Sequence, residues 1–217
     1  DYGATWTSIS AGLPDQPINV VWEDRKNPRV LFVGNDKGVW VTIDGGARWV
    51  RMKGDMPNVP VHDLLVHPRE QDLIVGTYGR AIYITDVAVL QQLTESVLAE
   101  DVHVFEIKPR KPFQASGWGN YDLFGDRYAP TPNEPNAIGI HYYLRDKTER
   151  KVSIKVADLT GRLIRSLDGT AQQGLNTVRW DMRDGERRAV PSGEYLVTIE
   201  VDGRTFVRAC IWLHLRR

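Results

Sequence analysis

The sequence predicts an all-β chain in two parts, and three observations carry that prediction. Asp1-Tyr-Gly3-Ala-Thr-Trp6 returns 43 residues later as Asp44-Gly-Gly46-Ala-Arg-Trp49. The stretch NPRVLFVGNDKGVWVT is matched by EQDLIVGTYGRAIYIT, which places Gly34 and Gly76 42 residues apart. Two independent anchors thus give one period, and a period near 42 is the length of one four-stranded propeller blade. Beyond residue 138 the pattern becomes an alternation of apolar and polar residues, the mark of half-buried antiparallel strands. The expected architecture is about two blades of a β-propeller followed by an Ig-like β-sandwich.

Each element follows from its residues. INVVWE (18–23), VLFVG (30–34), GVWVTI (38–43) and WVRMK (49–53) are the expected strands of one blade. VHDLLV (61–66), DLIVG (72–76) and RAIYIT (80–85) are three strands of the next, and one more strand is expected after Trp6. These runs are rich in Val, Ile and aromatics and are bounded by Gly, Pro, Asp or Asn. Asp44-Gly45-Gly46 falls between the third and fourth strands, where a tight hairpin needs residues that tolerate positive φ. A third copy of the motif has decayed, because Asp86 is followed by Val-Ala-Val-Leu. Val87, Leu90, Leu93, Val97 and Leu98 recur at helical intervals and predict one or two short helices. VHVFEI (102–107) predicts a strand that completes the last blade.

Residues 108–137 predict a linker dense in Pro, Gly and Asn, carrying Phe113, Trp118, Tyr121, Phe124 and Tyr128. Its rings suit either sugar stacking or wedging between two domains. In the last part, Val152, Ile154 and Val156 alternate with Ser153 and Lys155, and the chain turns at Asp158–Gly161. Tyr195, Val197, Ile199 and Val201 share a face before a hairpin at Asp202-Gly203. IGIHYYLR and NTVRWDM bring the total to about six strands, the content of a small sandwich. The expected domains are 1–90, a connecting region 91–137, and 138–217.

Composition narrows the function classes. With 41% hydrophobic and 26% charged residues, the 217-residue chain is globular rather than disordered. No apolar run approaches the roughly 20 residues of a membrane-spanning helix. Net charge is zero, from 13 basic and 18 acidic residues in 1–137 and 15 and 10 in 138–217. Neither part has the basic surplus of a nucleic-acid footprint, so no nucleic-acid partner is expected. Cys210 is the single cysteine, which removes intrachain disulfides and all-cysteine metal sites. In an alternating strand it fills core space.

The repeat resembles the Asp-box, or BNR, motif of sialidase-like, sortilin-like and xyloglucanase-like propellers. The resemblance implies that Asp1 and Asp44 accept hydrogen bonds from their own turns and that Trp6 and Trp49 pack between sheets, with Gly3 and Gly46 in the turn. The stretches IKVADLTGRLIRSL and GLNTVRWDMRDGERRAVPSGEYLVTIEVDG resemble the FlgD-like Ig fold found at the end of secreted bacterial proteins. Together these segments resemble the large bacterial VPS10/sortilin-like BNR-repeat proteins, often labelled glycosyl hydrolases. The resemblance implies export, to an extracellular, cell-surface or periplasmic location, and a carboxy-terminal position in a larger chain. Two blades alone leave unpaired edges and an exposed sheet face, which gives the same expectation. The hydrolase label follows the fold and assigns no reaction.

Catalytic constellations are sparse. Glycoside hydrolysis needs two carboxylates facing one cleft, and Glu23, Asp24, Asp36, Asp63 and Asp72 are the candidates by type. Tyr78 and Arg80, which lie together in TYGRAIYI, match the residue types of a sialidase site; with Trp118 and Tyr121 they are the candidate ligand-facing residues. His62, Asp63 and His67 lack metal-binding spacing, because an odd separation along a strand sends the two histidines to opposite faces. No metal or cofactor is expected. The leading expectation is a non-catalytic scaffold that presents a ligand or partner surface, its partners being the remainder of the same propeller protein, other extracellular subunits or glycans. Two alternatives stand beside it: the tail of a glycoside hydrolase whose carboxylates lie in other blades, and a subunit of a cell-surface complex.

Overall fold

The computed structural model describes residues 1–54, 56–111, 134–149 and 151–213. The fold is all-β, as the sequence predicts, built from antiparallel sheets none of which closes into a barrel. The described residues divide into two compact units, Asp1–Thr94 and a second that begins at Glu95. No helix among them is long and apolar enough to cross a membrane.

The first unit holds two sheets. One is the up-and-down meander β1 (Ile18–Glu23), β2 (Leu31–Asn35), β3 (Gly38–Thr42) and β4 (Val50–Arg51). The other is β5 (Val61–Val66), β6 (Asp72–Thr77) and β7 (Ile82–Asp86). The sequence period is also a period of register. Val20 lies opposite Gly34 and Asp63 opposite Gly76, and each pairing is preceded by a bulge, between Ile18 and Val20 and between Val61 and Asp63. Opposite residues share a face, so Val20, Trp22, Phe32, Val39 and Val41 line one side of the first sheet. That side packs on Val61, Leu64, Val66, Leu73 and Val75 of the second sheet. The other side of the first sheet buries Leu31 and Val33 against Trp49, with Leu13 and Trp40 packed alongside. Strand β2 is thus covered on both faces, which is why Leu31–Gly34 read as an unbroken run without a polar side chain.

Two short helices follow, α1 (Ala88–Gln91) in the first unit and α2 (Glu95–Ala99) in the second. A buried polar network fastens α1. Asp24 accepts the backbone N–H groups of Lys26 and Asn27 at 2.8 and 3.0 Å and the Gln91 side-chain amide at 2.6 Å. Asn27 in turn donates its side-chain amide to the Gln91 carbonyl at 3.2 Å. The β1–β2 turn and α1 therefore share one set of hydrogen bonds, and a carboxylate with three donors can be buried where a lone one cannot.

The second unit is a sandwich of two sheets. One has the order β11 (Leu163–Gly169), β10 (Val152–Asp158), β13 (Gly193–Val201), β14 (Arg204–Trp212). Facing it is β12 (Gly174–Trp180), β9 (Ile138–Leu144), β8 (Val102–Val104). Val152, Ile154, Val156, Tyr195, Val197, Ile199 and Val201 all enter one core with Ile138, Ile140, Tyr142, Trp180 and Cys210. Burial in that core pushes the Cys210 thiol up to about 12. The β13–β14 hairpin turns through Asp202 and Gly203 at φ 49° and 77°, the paired left-handed residues of a tight hairpin.

Three expectations are corrected. Residues 102–107 do not complete a blade: Val102–Val104 pairs with β9, and Val102, Val104 and Ile107 sit in the sandwich core. Their alternation suits any half-buried edge, and the long-range partner decided between two sheets. No strand follows Trp6; the segment through Pro17 contains Gly12 and two prolines and joins no ladder. Trp6 itself is 90% exposed, whereas Trp49 is 7% exposed. Among the described residues Trp6 lacks what Trp49 has, a sheet face of Leu31 and Val33 to lie on. Asp86 ends β7, its carboxylate accepting the Ala88 N–H at 2.8 Å, and a short helix follows where the sequence predicts one. The linker rings of Trp118 and Tyr121, like Phe113, Phe124 and Tyr128, lie outside the described residues.

Two truncations should therefore act on separate units. Asp24→Ala strands a buried amide and two backbone donors and is expected to cost about 3 kcal/mol. Ile154→Ala empties a closed core position and is expected to cost about 2–5 kcal/mol. Urea unfolding followed by tryptophan fluorescence and circular dichroism measures both, and the two losses should appear in different transitions.

Candidate functional site

The repeated aspartates are turn-builders. Asp1 accepts the Gly3 N–H at 3.0 Å through one carboxylate oxygen, and the Thr5 N–H, at 3.0 Å, and hydroxyl through the other. Asp44 accepts the Thr42 hydroxyl at 2.6 Å and the Arg48 N–H at 2.9 Å. The Thr42 hydroxyl oxygen receives the Gly46 N–H at 3.0 Å, where Gly46 has φ 93°. Trp49 closes the corner by donating its indole N–H to the Ile9 carbonyl at 2.7 Å. Desolvation alone would raise the pKa of Asp44, but the Thr42 hydroxyl, the Arg48 and Ala47 amides and the nearby Arg29 charge outweigh it and hold the carboxyl below its ordinary value.

The other carboxylates named from sequence do not converge. Asp24 is consumed in the buried network above. Asp36 accepts the Asn19 side-chain amide at 3.0 Å, and Asp63 accepts the Leu64 N–H at 2.9 Å. Glu23 ends β1 opposite Leu31. The fold does create one acidic pair that sequence reasoning missed: Asp72 and Asp86 lie directly opposite each other across β6 and β7. Only the strand register brings them together.

Tyr78 and Arg80 occupy the β6–β7 turn, whose residues Gly79 and Ala81 have φ 71° and 68°. The Tyr78 ring is exposed and lies 5.6 Å from the His62 ring, and the Tyr78 backbone N–H donates to the Pro60 carbonyl at 2.9 Å. His67 uses its Nδ1 to accept the N–H groups of Arg69 and Glu70, closing the β5–β6 turn. Among the described residues no group of three His, Cys, Asp or Glu side chains is placed to hold a metal ion.

The second unit has an open groove of about 980 Å³ between two turns of the same design. In Asp158-Leu-Thr-Gly-Arg162, one oxygen of Asp158 accepts the Thr160 and Arg162 N–H groups and the other accepts the Arg162 Nε at 2.9 Å. In Asp184-Gly-Glu-Arg-Arg188, Asp184 takes the Glu186 and Arg188 N–H groups and the Arg188 Nε at 2.8 Å. The Thr160 hydroxyl first, then the Arg162 amide and guanidinium, hold Asp158 below its ordinary range against a smaller desolvation penalty. The signal was present in the sequence as Asp-x-x-x-Arg at 158–162 and 184–188, a spacing that also occurs at 44–48 and 146–150. Tyr195, at the groove wall, donates its hydroxyl to the Pro191 carbonyl at 2.7 Å, so it offers no free nucleophile.

No protein-family model and no curated protein matches the chain. Among solved structures, it is similar to PorZ, a bacterial surface component of the type-IX secretion system of Porphyromonas gingivalis, at 17% identity and a TM-score of 0.33. That similarity covers 92% of this chain and 31% of PorZ, so the chain spans about a third of that protein's length.

Asp44 gives a pH test of the turn. Because its folded-state pKa is depressed, its contribution is present above the ordinary carboxylate value and is lost as pH falls through the folded one. Asp44→Asn should therefore lower the thermal midpoint most at neutral pH, with the difference from wild type shrinking below about pH 4. Calorimetric scans from pH 7 to pH 3 check this.

Proposed function

We propose that this chain is the non-catalytic scaffold and binding portion of a larger exported propeller protein of the Asp-box type, with a FlgD-like Ig-fold sandwich at its end. One observation carries the reading: the polar residues of the repeat are spent on their own turns, while the repeated apolar residues build sheet-on-sheet packing. Such a module contributes surface and rigidity, and its loops are free to present partners or glycans. Protein partners at the cell surface suit it better than small substrates, since the aspartates at the groove of the second unit, Asp158 and Asp184, are already paired with Arg162 and Arg188.

A second reading, a glycoside hydrolase, is favoured by the Asp72–Asp86 pair. Residues directly opposite on antiparallel strands have Cβ atoms about 4.5–5.5 Å apart, close enough for their carboxyl groups to reach the roughly 5–5.5 Å separation of a retaining pair. Assay of the chain on a panel of polysaccharides and sialylated glycans separates the readings. The scaffold reading expects no turnover above background. Turnover abolished by Asp72→Asn or Asp86→Asn, in a variant that keeps its circular dichroism spectrum, would replace it with the hydrolase.

A further inference from the structure

The second sheet of the first unit has one covered face and one open face. The open one carries Leu65, Ile74, Ile82 and Ile84, which share it because Leu65, Ile74 and Ile84 are opposite one another and Ile82 is opposite Gly76. Leu65 is 41%, Ile82 68% and Ile84 64% exposed. Large aliphatic side chains clustered on one sheet face are an interaction surface rather than ordinary exposure.

The internal repeat says what belongs there. By register, Leu65, Ile74, Ile82 and Ile84 occupy the places that Trp22, Phe32, Val39 and Val41 hold in the first sheet. In the first sheet those places are covered by the second sheet's Leu64, Val66, Leu73 and Val75. The glycines make the same point. A Cβ on Gly34 would lie 2.6 Å from Cγ1 of Val61, so the glycine is the hollow that lets the next sheet approach. Gly76 is the equivalent hollow, and a Cβ there would meet nothing nearer than Asp63 Cβ at 3.4 Å. It is a hollow with no occupant among the described residues.

We infer that the open face of β5–β7 seats a further antiparallel sheet of the same repeat, which puts a β-branched side chain over Gly76 as Val61 is put over Gly34. The inference rests on the reading that the chain belongs to a larger repeat protein, and the source of the sheet is that same polypeptide. The face also sets a condition on its partner. Where the first sheet has Val20, the second has Asp63, so the incoming sheet must offer a hydrogen-bond donor or a cation at that point.

Thiol labelling tests this. Cys210 is fully buried with its thiol pushed up to about 12, so it is silent towards maleimide at pH 7. Ile84→Cys, with Ile82→Cys as a second variant, is introduced into the 217-residue chain and into the full-length gene product. The expected result is rapid labelling of the chain at every protein concentration and labelling at least about tenfold slower in the full-length protein. Equal rates in both overturn the inference and leave the scaffold reading standing. Protection that grows with concentration of the chain alone overturns it in favour of a second copy. A gene that encodes no further repeats overturns both readings. Glycine variants give an independent measure: Gly34→Ala should lower the thermal midpoint of both proteins, and Gly76→Ala only that of the full-length protein. A Gly76→Ala variant without effect in the full-length protein also overturns the inference.

Discussion

The close approach of two sheets at Gly34 is the constraint on which the first unit depends. Sheets packed face to face stand about 10 Å apart when side chains interdigitate. A residue with no side chain at the centre of one sheet lets a stiff, β-branched Val61 reach the backbone of the other. Val61 can do so only because the bulge before Asp63 turns it from the face its alternation would give it to the one that meets the first sheet. Glycine, bulge and valine therefore form one device, and the strand register on both sides has to agree with it. A slip of one residue would turn Val61 outward and press a side chain into the sheet.

A second economy governs the turns. Asp1, Asp44, Asp158 and Asp184 each fold their carboxylate back on the amides that follow, in turns of both units. Local satisfaction of turn amides lets the strands end abruptly without burying unpaired backbone. It also removes these acids from chemistry, because a carboxylate held by several donors is a poor proton acceptor. In the sandwich the arginine four residues on closes the same ring, as Arg162 and Arg188 do. In the first unit tryptophan supplies the anchor instead, reaching back to the Ile9 carbonyl. The motif's aspartate is thus common to two unrelated sheets, and the residue that finishes the corner distinguishes them.

Much of this was legible in the residues. Periodicity placed β1, β5 and the sandwich strands within a residue or two, since each combines β-branched runs with Gly, Asp or Asn stops. The buried rows Val152–Ile154–Val156 and Tyr195–Val197–Ile199–Val201 followed from alternation alone. What failed depended on partners distant in sequence. Val102–Val104 alternates like a blade strand, and only its pairing with Tyr142 and Leu144 gives it to the sandwich. Trp6 has the same local motif as Trp49 but, among the described residues, no face to rest on. The network of Asp24, Asn27 and Gln91 joins residues more than sixty positions apart, and no local pattern announces it. The Asp72–Asp86 pair is likewise a product of register.

The two sheets of the repeat are alike in geometry and unlike in chemistry. Going from the first to the second, Trp22 becomes Leu65, Phe32 becomes Ile74 and Val20 becomes Asp63, while the glycine and the bulge stay. The aromatic bulk that a permanently covered face can use has been exchanged for smaller aliphatics and an acid at the centre. Less apolar area and a buried-if-covered carboxylate both lower the gain from covering this face. They equally lower the cost of leaving it open, by discouraging indiscriminate association of an apolar sheet. A face of this composition selects its partner. It accepts an apolar sheet only with a donor opposite Asp63, and the hydrogen bond it then makes is what separates the right sheet from any other apolar surface.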